Sequence, residues 1–167
     1  PTATFVSMLM GNDDERVLLA TDAGYGFVAK LSDLQSKNRS GKTLLSVPEK
    51  ANVLPPCLVR DINTDLLIAI SNEGRLLVFA LSELPELAKG KGNKIMNIPS
   101  ARLQAREEYL ASVAVVSKNQ QLLVYSGKRH TVLKGSDFDE YRGERGRRGN
   151  KLPRGFQNVD SIEVTDR

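Results

Sequence analysis

Tryptophan is absent from this chain of 167 residues, cysteine and histidine occur once each, and aromatic residues make up only 5% of it. Its core must therefore be aliphatic. Cys57 can form no internal disulfide, and with His130 it supplies too few ligands for a zinc site. Cys57 reads as a small core residue in a reducing, intracellular setting. No apolar run approaches the roughly 18 residues of a membrane span. Pro1 to Phe5 carry neither a basic n-region nor an initiator methionine, so no signal peptide is expected, and the chain reads as a piece of something longer. What is present is ordinary for one globular domain, with 40% hydrophobic and 26% charged residues.

The net charge is +4, but it is unevenly placed. From Lys128 to Arg154 nine Lys/Arg face only Asp137, Asp139, Glu140 and Glu144, which leaves that stretch at +5 and the remainder at −1. A local excess of this size points to a polyanionic partner.

The chain repeats. Val17–Leu34 (VLLATDAGYGFVAKLSDL) aligns with Leu67–Leu84 (LIAISNEGRLLVFALSEL) at a constant offset of 50. A third copy, Leu122–Phe138, loses about one residue in its turn. Gly41-Lys42-Thr43-Leu44 aligns with Gly92-Asn93-Lys94-Ile95 and with Gly149-Asn150-Lys151-Leu152. In each copy two short apolar runs flank a turn rich in Gly and Asp or Asn, which predicts a hairpin. Thr43–Val47, stopped by Pro48, reads as a third strand, and Val53–Val59 as a fourth. Four strands at a period near 50 indicate propeller-like blades, which must stack to bury their faces. Ser100–Leu110 reads as a short helix decorating an inter-blade loop.

Several motifs fall away on inspection. Gly24 to Ala29 fits G-x-G-x-x-A, but strand rather than helix follows, so it reads as a turn. Gly41-Lys42-Thr43 lacks the upstream glycine of a P-loop, since Ser36 stands there. His130 has no nucleophile or acid at triad spacing and reads as a surface residue. Asp13-Asp14-Glu15 reads as a solvated turn. No set of residues forms a catalytic constellation.

The signal that remains is three basic, glycine-containing loops at equivalent positions: Lys37, Arg39 and Lys42 in the first; Lys89, Lys91 and Lys94 in the second; Arg142, Arg145, Arg147, Arg148 and Lys151 in the third. Lys128, Arg129 and Arg154 flank the last. Glycine lets backbone N–H groups and long cationic side chains approach a phosphate closely. Stacked blades would align such loops into a stripe that follows a duplex. Only Tyr141 is aromatic nearby, so base stacking is disfavoured, and phosphate contacts without base readout are expected. The bland alternative is a solubilising face.

Leu84-Pro85-Glu86-Leu87-Ala88-Lys89-Gly90-Lys91-Gly92-Asn93-Lys94-Ile95 and Gly143-Glu144-Arg145-Gly146-Arg147-Arg148-Gly149 resemble the C-terminal domain of the A subunit of bacterial DNA topoisomerase IV, in the type IIA topoisomerase A-subunit family. Asp22 to Phe27 and Asn38 to Lys42 fit the same family. The resemblance covers nearly the whole chain. It implies an all-β fold, a β-pinwheel of about three four-stranded antiparallel blades (roughly 5–56, 57–112 and 113–165 within a single module, 1–167), open or truncated. It implies a non-catalytic module that binds and bends double-stranded DNA at the fourteen Lys and Arg residues named above. ATP and magnesium would act through other domains of the parent enzyme, with no cofactor, metal or small-molecule substrate in this part. The implied partners are the B subunit, the N-terminal core of the same subunit, plus a chromosome-condensing protein; the implied location is cytoplasmic, on the chromosome or peripheral at the inner membrane. Glu144-Arg145-Gly146-Arg147-Arg148-Gly149 departs from the Gln-Arg-Arg-Gly-Gly-Arg-Gly box of the related gyrase protein, which argues against strong chiral wrapping. The family's DNA-cleaving tyrosine lies elsewhere, so Tyr25, Tyr109, Tyr125 and Tyr141 are not assigned that role. The competing function is a blade array that docks an acidic chromosome-organising protein.

Overall fold

A computed structural model of the chain describes residues 15–34 and 45–166. Its strands are β1 (Arg16–Ala20), β2 (Tyr25–Lys30), β3 (Cys57–Val59), β4 (Leu66–Ser71), β5 (Arg75–Ala80), β6 (Asn93–Lys94), β7 (Leu110–Val116), β8 (Gln120–Ser126), β9 (Arg129–Lys134), β10 (Asn150–Lys151) and β11 (Ser161–Asp166). The short helices α1 (Leu31–Leu34) and α2 (Ser100–Gln104) join 3-10 turns at Leu81–Glu83 and Gly135–Tyr141. The expected hairpins form at all three copies: β1 with β2, β4 with β5, and β8 with β9, each antiparallel. The helix expected after Ser100 is α2, shorter than the expected run to Leu110.

Three sheets result, ordered β3-β1-β2-β6, β10-β5-β4-β7 and β11-β8-β9. The first two have four strands and the third has three. The array of antiparallel blades is as expected, with one difference in how blades are completed. Of the strand expected over Thr43–Val47, residues 43 and 44 lie outside the described residues, and Leu45 makes an isolated parallel bridge to Gly90. In the first two blades the fourth strand instead comes from the following repeat. β6, in the second repeat, pairs with β2 of the first, and β10, in the third repeat, pairs with β5 of the second.

Side-chain alternation along the strands places the core between the sheets. Leu18, Ala20 and Val28 of the first sheet meet Leu67, Ala69, Leu77 and Phe79 of the second. The other face of the second sheet, Ile68, Ile70, Leu76 and Val78, meets Leu122, Val124 and Leu133 of the third. The middle sheet is covered on both sides, which is why Leu67–Ile70 and Leu76–Phe79 are unbroken apolar runs. β9 buries only Leu133 and accordingly mixes apolar with charged residues.

The turn residues recognised in the repeat also tie the blades together. The Asp22 carboxylate accepts from the Asn52 backbone N–H at 2.8 Å and from Arg106 at 2.9 Å. At the equivalent position Asn72 Oδ1 accepts the Tyr109 N–H at 2.9 Å. The first two hairpin tips are thereby fastened to the segments that lead into β3 and β7. Cys57 lies half-buried, with its thiol directed at the Val113 carbonyl 3.4 Å away. Burial pushes its pKa up to about 11, so it stays protonated at neutral pH.

Candidate nucleic-acid interface

Because the first two blades are each closed by a strand from the next repeat, the loop before that strand is carried to the outer edge of the preceding blade. The second basic loop precedes β6 and the third precedes β10. Both crossings start alike. The Val28 carbonyl accepts the Leu87 N–H at 2.8 Å, and the Val78 carbonyl accepts the Gly143 N–H at 3.1 Å. The segments that follow the first and second loops then make matching contacts to the next loop. Ser46, just after the first loop, donates its N–H to the Gly90 carbonyl of the second at 2.8 Å. Just after the second loop, the Ile95 carbonyl accepts the Gly146 N–H at 2.9 Å, and the Asn97 N–H donates to the Arg147 carbonyl at 3.0 Å. The second and third basic loops are therefore neighbours on one rim. Lys37, Arg39 and Lys42 lie outside the described residues.

The rim cations differ in what holds them. Lys89, Lys91 and Lys151 are exposed and have no carboxylate within 4 Å among the described residues. Lys91 Nζ sits 4.0 Å above the Tyr25 ring, and Lys94 Nζ is 6.0 Å from the same ring. An aromatic face attracts a cation without neutralising it, so Tyr25 steers these lysines while their charge remains available. Arg145 donates to the Lys94 carbonyl at 2.9 Å, tying the third loop to the second. Arg147 is paired with Glu144 and Arg142 with Asp139, both at the surface. Lys128 and Arg129 form a second group at the tip of the β8–β9 hairpin, where Arg129 lies against Gly155 next to Arg154.

Arg148 is engaged differently. Its Nη2 lies 2.9 Å from Oε1 and 3.0 Å from Oε2 of Glu108, with the hydrogen bond directed to Oε2. Glu108 is 0% exposed and also pairs with Arg102 Nη1 at 3.0 Å. Arg102 in turn pairs with Glu73, a hydrogen bond that raises the guanidinium pKa. Arg148 thus fastens the third loop to the blade below it. Replacing Glu108 by Gln is expected to cost about 2 kcal/mol in a urea melt, less than the roughly 3–5 kcal/mol of a fully buried pair because both guanidiniums keep contact with water.

Tyr25 and Arg75 were not legible as rim residues, yet they occupy the same place in the repeat, directly after the turn glycine. Tyr25 underlies the second loop, and Arg75 donates to the Gly149 carbonyl of the third at 3.3 Å. The constant offset of 50 was the signal that could have paired them. Glu108 had no signal, since Ser100–Leu110 reads as a short helix decorating an inter-blade loop. His130 is exposed, 6.2 Å from the tilted Tyr125 ring. Among the described residues no three His, Cys, Asp or Glu side chains converge as a metal site would require, and no helix is long and apolar enough to cross a membrane.

Comparison with known proteins agrees with this architecture. The A subunits of DNA topoisomerase 4 from Pseudomonas aeruginosa and Escherichia coli are 54% and 47% identical to this chain over 164 residues. Each match covers 98% of this chain, which spans 22% of the length of those relatives. The C-terminal domain of E. coli ParC superposes with a TM-score of 0.90 at 45% identity, covering 98% of this chain and 66% of that one. The DNA gyrase A C-terminal domain shares the fold at a TM-score of 0.70 and 18% identity, covering 93% of this chain and 50% of that one. The resemblance read from the glycine and arginine motifs therefore holds. Residues 15–54 and 65–117 match the family described as the DNA gyrase C-terminal domain, beta-propeller, and the chain belongs to that family.

Proposed function

We propose that this chain is the non-catalytic DNA-binding and DNA-bending module of a type IIA topoisomerase, within the A subunit of a topoisomerase IV. It holds the transported duplex by phosphate contacts while the full enzyme carries out ATP-dependent relaxation and decatenation. ATP and magnesium act through other domains. Its partners in the assembly are the B subunit together with the N-terminal core of its own polypeptide. A chromosome-condensing protein is a further partner of the rim, and the setting is the cytoplasm, on the chromosome. As the chain's primary role, docking an acidic protein is not favoured, because the named relatives are topoisomerase subunits.

The observation that carries this reading is the contact between the second and third basic loops, through Arg145 on the Lys94 carbonyl and through Gly146 and Arg147 on the segment that follows the second loop. Loops fixed edge to edge present their cations as a line, and a line of charge matches the regular phosphates of a duplex. Among the described residues the rim offers no aromatic stacking platform beyond Tyr25, which is occupied by Lys91. Binding is therefore electrostatic and indifferent to sequence. With roughly six phosphates neutralised, log K for duplex DNA is expected to fall against log[salt] with a slope of about −5. Binding that does not respond to salt overturns the reading.

A further inference from the structure

We propose that Glu144 is an internal competitor for phosphate, which sets how strongly the third basic loop holds DNA. The inference rests on the DNA-binding reading above and adds a regulatory residue to it.

Residues 144–147 form a tight turn. The Arg147 N–H donates to the Glu144 carbonyl at 3.2 Å, and Gly146 takes a φ of +85°. The two side chains leave the turn together. Of the three arginines here, Arg145 is spent on the Lys94 carbonyl and Arg148 on Glu108 and the Asn97 carbonyl. Arg147 alone has a largely solvent-facing side chain, 72% exposed. Glu144, 78% exposed, receives its Nε at 3.2 Å and its Nη2 at 3.0 Å on the single oxygen Oε2.

That edge of the guanidinium is the fork a phosphate would take. The backbone gives the pair little room to separate, because Gly146 and Arg147 are both bonded to the segment that follows the second loop. The carboxylate is therefore held within reach of the arginine by the turn. An exposed ion pair is worth only about 0–1 kcal/mol, so a phosphate can displace it. Glu144 thus attenuates binding without blocking it. Its charge must also be pushed aside, or carry counterions, when a phosphate arrives.

The test compares E144Q, E140Q, R147A and E144Q/R147A with wild type in duplex-DNA salt titrations, with a thermal melt of each to confirm folding. Glu140 is a nearby exposed carboxylate with no cation within 4 Å among the described residues, so E140Q removes the same charge without touching Arg147. E144Q is expected to bind about two- to fivefold more tightly, the whole worth of an exposed pair. Its salt slope should steepen by about 0.9, one phosphate contact. E140Q should leave the slope unchanged, and R147A should abolish the effect of E144Q. An E144Q slope equal to a normal wild-type slope, or an equal gain from E140Q, overturns this proposal alone. A wild-type chain with no salt dependence overturns the DNA-binding reading and this proposal together.

Discussion

A chain with Lys89, Lys91 and Lys151 all replaced by Ala is expected to bind duplex DNA about two to three orders of magnitude more weakly at 0.1 M salt, with a salt slope shallower by about 2.7. The size follows from counterion release. Each phosphate contact contributes an exponent of about −0.9, close to a factor of eight at that salt concentration. These three are chosen because they are exposed and carry no acidic partner among the described residues, so their charge is free for a ligand. Folding should be spared. Lys89 and Lys91 lie in the loop, and Lys151 joins β10 to β5 through its backbone. The loss should be the same for unrelated sequences, because phosphate contacts position a duplex without reading it. Removing Arg148 would be a poor test of the same idea, since Glu108 already occupies its guanidinium. Triple-variant binding within twofold of wild type would place the DNA elsewhere on the molecule.

The second large effect is on stability. Gly92→Ala and Gly149→Ala are each expected to cost about 3 kcal/mol, the upper end of left-handed backbone strain for a residue with a Cβ, which lowers the melting temperature of a domain this size by about 6–12 °C. Both glycines have positive φ, +85° and +74°. A methyl group at Gly92 would fall on the Gly26 carbonyl oxygen, and one at Gly149 on the Leu76 carbonyl oxygen. These are the points at which β6 joins β2 and β10 joins β5. A methyl there both strains the turn and pushes the donated strand from its blade. Gly127→Ala is the control: φ is +58° but the space is empty, so only strain of about 1–2 kcal/mol is expected. Should Gly149→Ala cost no more than Gly127→Ala, the donated strand contributes little to holding the blades together.

The hairpins were legible because they are local. Thr21 to Gly24 and Ser71 to Gly74 carry turn chemistry between short apolar runs, and each pair closes within a few residues. The recurrence of Gly92-Asn93-Lys94 and Gly149-Asn150-Lys151 was legible too, but its meaning was not. It read as a strand of its own repeat, and it is an edge strand of the preceding blade. Strand propensity says that a segment will pair, while the partner depends on which free edge lies near. Only two residues of each segment pair, too short a stretch for pattern alone to place.

The sequence by itself determined the repeat, the β class, the aliphatic core and the three places where cations gather, because each follows from the order and kind of side chains along the chain. Only the tertiary structure decided which cations are free. Arg145, Arg147 and Arg148 are chemically alike and close together in sequence. One bonds a backbone carbonyl, one a surface carboxylate and one a buried carboxylate. That division depends on Glu108 and Lys94, about 40 and 51 residues away along the chain. The physical reason is that charge is a property of a residue, whereas its availability to a ligand depends on what the fold has already placed beside it.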